Sequence, residues 1–151
     1  TGDLAMETLF EDGYALAAPE GDPLGALPRA GGAELAERPM LLLERGHCLQ
    51  RHALAAFPEA GARPDESFAA TSLPTLLAMV EEGLGITLLP RLALDAGAAR
   101  AHALALTPLP EACPRRVVLA WRPTSARGAE FEALAATFRE ARAALAAEAR
   151  G

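Results

Sequence analysis

Lysine is missing altogether: all 14 basic residues of this 151-residue chain are arginine. Beside the heavy use of alanine, that absence is a compositional bias rather than a functional signal. Cysteine is nearly absent, with two copies, Cys48 and Cys113. Two are too few for a disulfide scaffold, so both are expected as reduced thiols. Aromatics are scarce as well (5 Phe, 1 Tyr, 1 Trp). No stretch reaches the roughly 18 charge-poor apolar residues that a membrane span needs. Thr1 to Met6 carry no basic start leading into an apolar run, so no secretory leader is expected and the expected compartment is the cytoplasm. No P-loop, dinucleotide glycine fingerprint or Ser/His/Asp arrangement occurs. A net charge of −6 without a basic stripe is a poor basis for gripping nucleic acid. No metal site and no cofactor are expected.

What is present is enough for a real core. The chain is 51% hydrophobic, too apolar for a disordered segment, and its length fits one domain or two small lobes. Short apolar runs alternate with helix-like segments, which predicts an α/β fold. The runs are Leu4 to Leu9, Tyr14 to Ala18, Met40 to Leu43, Phe68 to Ala70, Gly85 to Pro90, Leu104 to Pro110 and Arg116 to Trp121. Asp12-Gly13 reads as a turn, and Glu20 to Ala30, rich in Gly and Pro, as a surface loop. The clearest helix follows Ser72, a good N-cap. Pro74 sits in its first turn, and Leu73, Leu76, Leu77 and Val80 recur at helical spacing. Gly83 or Gly85 should end it. A last helix is predicted from about Gly128 to Arg150, with an apolar stripe of Phe131, Leu134, Phe138, Ala141 and Leu145. Its charges, Glu130 and Glu132 early and Arg142 and Arg150 late, suit the helix dipole.

The sharpest chemical feature is Gly46-His47-Cys48-Leu49-Gln50-Arg51-His52. It sets a thiol at the start of a predicted helix, Cys48 to Phe57, just after a buried strand. Free N–H groups and the positive dipole end favour a thiolate there. Arg51 and His52 lie one turn on, and His47 precedes the thiol. Such a cationic shell makes sulfur a nucleophile toward peroxide or a disulfide. The plain alternative is a small buried side chain. His47, Cys48 and His52 match no strong zinc spacing. Cys113, in a loop between Pro110 and Pro114, reads as a bystander thiol. Thr71 and Ser72 offer hydroxyls at a helix N-terminus, either as a polar ligand site or as simple caps. Asp65, Glu66, Glu81 and Glu82 read as solvated surface.

The segments LLLERGHCL (Leu41 to Leu49), FAATSLPTLLAMVEEGLGITLLP (Phe68 to Pro90) and PRRVVLAWRP (Pro114 to Pro123) together resemble the LysR-type transcription regulators. Within that family they resemble the peroxide-sensing OxyR group. The helix–GLGITLLP unit is shared across the superfamily, whereas the GHCL element points to the OxyR group. The resemblance implies an effector domain of two α/β lobes, like the periplasmic binding proteins. Residues 1–12 would be a hinge strand from the first lobe and residues 13–116 the second lobe. Residues 117–151 would be the return strand and the C-terminal helix of the first lobe. The DNA-binding domain would be absent from this chain.

The same resemblance makes Cys48 the peroxide-reactive cysteine, with His47, Arg51, His52 and Arg116 around it. It makes Thr71 and Ser72 the polar helix end facing the cleft between lobes. It implies a regulator rather than an enzyme, with hydrogen peroxide as effector and a homodimer or homotetramer as the assembly. Promoter DNA and RNA polymerase would be met through the full-length protein. Two residues depart from the pattern. Phe57 stands where the family has its resolving cysteine, and Arg51 stands where it has an acid. The expected product is therefore a sulfenic acid or mixed disulfide at Cys48, with Cys113 a lesser candidate for resolution. The alternatives are an effector domain that binds a small metabolite beside a bystander Cys48 and, last, a thiol peroxidase.

Overall fold

The computed structural model of the chain describes residues 3–36, 38–44, 51, 55, 56 and 63–151. Its body is a mixed sheet. Strand β2 (Tyr14–Pro19) is flanked by β5 (Thr87–Pro90) and β6 (Leu104–Leu109), both antiparallel to it. Strand β3 (Pro39–Leu43) runs parallel to β4 (Arg63–Ala70). Ile86 joins the two groups. Leu41 N–H donates to the Ile86 carbonyl at 2.8 Å, and Ile86 N–H donates to the Pro39 carbonyl at 3.0 Å. The resulting order is β6–β2–β5–β3–β4.

The apolar runs become strands because both faces of this sheet are covered. Alternate residues serve opposite layers. Leu16, Met40, Leu42, Ile86 and Leu88 pack with Leu24 and Leu35, the latter on the short helix α1 (Gly32–Ala36). On the other side Leu41, Leu43 and Ala70 meet Leu76 and Val80, while Ala17 and Leu89 meet Leu77. These last partners belong to α2 (Leu73–Glu81). Ser72 caps α2, accepting the Thr75 N–H at 3.4 Å. Gly83, at φ +81°, ends it in a conformation glycine adopts freely. Gly85 is required by close approach: a Cβ there would stand 2.6 Å from the Pro39 carbonyl oxygen.

The chain enters and leaves this body through a separate two-stranded ribbon. Strands β1 (Ala5–Asp12) and β7 (Arg115–Trp121) pair antiparallel, Ala5 opposite Trp121 and Asp12 opposite Arg115. The long helix α4 (Gly128–Glu148) lies on the ribbon, with Phe131 stacked on Trp121 at 5.5 Å between ring centres. A short helix, α3 (Arg91–Asp95), follows β5 directly.

Several expectations need correction. Asp12-Gly13 does not turn a hairpin; β1 and β2 belong to different sheets, and Gly13 is the joint between them. Glu20 to Ala30 is not only surface loop. It holds a 3-10 turn at Pro23–Ala26, with Leu24 and Ala30 buried and the Thr107 hydroxyl donating to the Leu24 carbonyl at 2.7 Å. Strand β4 begins at Arg63, ahead of the expected Phe68. The expected stripe of α4 is half-buried at Phe131 and Leu145 but exposed at the three positions between them. Ala135 is fully buried, whereas Leu134 and Phe138 are exposed. Arg142 does not serve the helix dipole; it reaches Asp95 and Asp12.

Candidate functional site at the parallel strand ends

The parallel pair β3–β4 brings side by side the strand ends that precede two candidate segments in sequence. Beyond Leu43, the Glu44 N–H donates to the Ala70 carbonyl at 3.0 Å, so the two strands end side by side. In sequence β3 runs on to Gly46, His47 and Cys48, and β4 runs on to Thr71 and Ser72. Carboxyl ends of adjacent parallel strands are where open α/β sheets receive ligands. His47, Cys48, His52 and Phe57 lie outside the described residues. Arg51 is helical and exposed, and Ala55 and Ala56 are helical, with Ala56 buried. Those residues fall within the helix expected from Cys48 to Phe57.

Ser72 acts as the expected cap. Its Oγ lies 2.9 Å from Thr75 Oγ1, and Thr71 is exposed. Arg116 is exposed on β7, opposite Glu11. Its neighbour Arg115 turns the other way, into the protein. Cys113 is exposed, yet its backbone is not idle: its N–H donates to the Ala56 carbonyl at 2.8 Å. The loop ahead of β7 is thereby docked on the helical residues that follow the cysteine segment.

A buried charge cluster at the joint was missed by sequence reasoning. The Asp12 side chain is fully buried. Its Oδ2 accepts from Arg115 Nε at 2.9 Å and lies 2.8 Å from Nη2 as an ion pair, and its Oδ1 accepts the Leu92 N–H at 2.8 Å. Arg142 Nη2 lies 4.0 Å from Oδ1, and the Arg142 guanidinium sits over the Phe10 ring at 5.6 Å. Burial raises the neighbouring Tyr14 phenol above its usual pKa; Arg115 opposes that rise and Asp12 reinforces it. The only local signal was an Asp before a Gly, because the partners of Asp12 lie 80 and 103 positions away.

Glu81, expected as solvated surface, is engaged. It accepts the Ala103 N–H at 3.0 Å and lies 2.8 Å from His102 Nδ1, and the Ala103 bond first, then His102, lowers its pKa. Among the described residues no group of three His, Cys, Asp or Glu side chains is placed to hold a metal, and no helix is long and apolar enough to cross a membrane.

The family model for the LysR substrate binding domain matches residues 1–143. The chain belongs to that family. This LysR substrate-binding domain is 41% identical over 132 residues to the DNA-binding transcriptional dual regulator OxyR of Escherichia coli, covering 87% of this chain and 43% of that protein. It is 39% identical over 135 residues to a probable hydrogen peroxide-inducible genes activator of Streptomyces viridosporus, covering 88% and 43%. Solved OxyR structures share the fold. A cysteine-to-serine mutant of Corynebacterium glutamicum OxyR with hydrogen peroxide bound superimposes with a TM-score of 0.85 at 25% identity, covering 99% of this chain and 48% of that one. A cysteine-to-serine mutant of the OxyR2 regulatory domain from Vibrio vulnificus gives 0.76 at 30% identity, covering 91% and 65%. The chain thus spans less than half the length of the curated relatives it matches, and those relatives are regulators rather than enzymes.

Proposed function

We propose that this LysR substrate-binding domain is the sensor of a peroxide-responsive transcription regulator, with Cys48 the group that peroxide oxidises. One observation carries the reading. Strands β3 and β4 end together at the Glu44–Ala70 bond, where such sheets meet their effectors, and the sequence continues from Glu44 into Gly46-His47-Cys48 two positions on. The OxyR relatives support it. His47, Arg51, His52 and Arg116 supply the positive charge that favours a thiolate. The thiolate sulfur attacks one peroxide oxygen and the O–O bond breaks. Sulfur gives up two electrons and becomes Cys–SOH, while the second oxygen leaves as hydroxide and takes a proton to become water. With Phe57 in place of a resolving cysteine, the sulfenic acid is the product. Thr71 and Ser72 border the same cleft.

On this reading residues 1–12 and 117–121 are the crossing strands between lobes, residues 13–116 the second lobe, and α4 part of the first. The separation of the β1–β7 ribbon from the other five strands supports that division. Promoter DNA, RNA polymerase and the homodimer or homotetramer belong to the longer protein.

The test is mass spectrometry after brief low-dose peroxide with a sulfenic-acid trapping reagent, beside Cys48→Ser. Trapping at Cys48, absent from the variant, is expected. An unreacted Cys48 in the folded protein overturns the proposal and favours an effector domain for a small metabolite.

A further inference from the structure

Polar contacts joined by short stretches of backbone run from Ala56 to the outer helix. The Cys113 N–H holds the Ala56 carbonyl at 2.8 Å. Two positions on, Arg115 grips Asp12 through Nε and Nη2, and Asp12 holds the Leu92 N–H in the first turn of α3. At the other end of α3, Asp95 Oδ2 lies 2.8 Å from Arg142 Nη1 on α4. We infer that Asp12 and the Arg142–Asp95 pair form a relay that carries a displacement of Ala56 and the Cys113 loop to α4. This deepens the proposed function and rests on it only for the identity of the trigger.

The two links differ in kind. Asp12 is rigid. A fully buried carboxylate cannot shed a partner without leaving a charge unpaired, so Arg115 and α3 move with it. Arg142–Asp95 is the yielding link. Arg142 Nη1 is buried, and among the described residues it is the one buried side-chain nitrogen or oxygen without a hydrogen bond. It stands 2.8 Å from Asp95 Oδ2 as an ion pair. Buried donors are ordinarily satisfied. A small shift of α4 against α3 completes or abolishes this bond, so the pair responds to a push that Asp12 only transmits. Arg142 is further held by the Phe10 ring on β1 and by the longer approach to Asp12, which ties the yielding link to the rigid one.

Coupling between two sites is reciprocal, and that allows a test without oxidant. Amide hydrogen exchange is followed by NMR in the wild-type chain, in Arg142→Met and in Asp95→Asn, the second variant covering any folding defect in the first. The relay predicts that breaking the pair speeds exchange of the distant Cys113 amide by about fivefold or more, as well as exchange in α3 and α4. Faster exchange confined to α3 and α4 overturns it, because a purely local brace stops there. A second arm adds peroxide. Exchange in α4 should change in the wild-type chain and Cys48→Ser should abolish that change, while Arg142→Met keeps the response near Ala56 and loses it in α4. An α4 response that survives in Arg142→Met also overturns the relay. Failure of Cys48 to oxidise counts against the proposed trigger alone and leaves the oxidant-free arm to decide.

Discussion

Asp12 and Leu92 are joined across 80 positions by a single bond, a buried carboxylate oxygen accepting a backbone N–H at 2.8 Å. The bond fixes the end of β1 to the start of α3, and Arg115 neutralises the charge it leaves in the interior. Asp12→Ala strands both the Arg115 guanidinium and the Leu92 N–H. The expected cost is about 3–5 kcal/mol, measured by urea unfolding. Asp12→Asn keeps an acceptor for Leu92 and should cost less. Equal losses would mean that the charge pair with Arg115, rather than the Leu92 bond, sets the energy.

Gly83 and Gly85 make opposite demands. Gly85→Ala puts a methyl 2.6 Å from the Pro39 oxygen and 2.9 Å from Leu41 Cγ, both on β3. The strand must shift, at a cost of about 1–3 kcal/mol. Gly83→Ala meets no neighbour but must hold φ +81°, costing about 1 kcal/mol. Thermal unfolding should rank Gly85→Ala as the worse, and the reverse order would contradict the close approach of β3.

The face of α4 can be checked by charge. Leu134→Glu, on an exposed side chain, should change stability by less than about 0.5 kcal/mol. Ala135→Glu buries a carboxylate at a position with 0% exposure and should destabilise by several times as much. Equal effects at the two positions would restore the stripe read from sequence.

Asp22 gives a pH signature. The hydrogen bond from Arg38 holds its pKa below the ordinary 3.8, and the Leu24 N–H adds to that effect. A carboxyl whose folded pKa is depressed stabilises the fold above its unfolded pKa, and that stability is lost as pH falls through the folded value. The stability gap between wild type and Asp22→Asn should therefore be present at neutral pH and close below pH 3.8. A gap unchanged across that window would remove the ionic contribution.

Ser72→Ala separates capping from ligand binding. The Thr75 N–H bond is long at 3.4 Å, so the loss should be near the low end of the usual cap range, about 0.5–1 kcal/mol. Ser72→Asp should restore it. Chemical denaturation of the three proteins without any effector makes the comparison.

Much of the body was legible because its signals are local. Tyr14 to Ala18 and Met40 to Leu43 are apolar runs covered on both faces. Ser72, Pro74 and Gly83 punctuate α2 through side-chain chemistry and backbone freedom that need no distant partner. The docking of α4 was not legible to the residue. Leu134 and Phe138 promised an apolar face by their composition, but Trp121 and the ribbon select the side that carries Phe131 and Ala135.

The cysteine segment divides the same way. Its family is written in Gly46-His47-Cys48 and GLGITLLP, and the chemistry proposed for Cys48 rests on the residue types that neighbour it in sequence. Its surroundings are not. That Glu44 lies beside Ala70, that Cys113 reaches back to Ala56, and that Asp12 finds Leu92 and Arg115 depends on strand pairing over tens of residues. Periodicity and caps act within a few residues and set which elements form. The strand order and the partner of a buried charge are chosen by the whole core, because only there does an unpaired carboxylate cost enough to decide the arrangement.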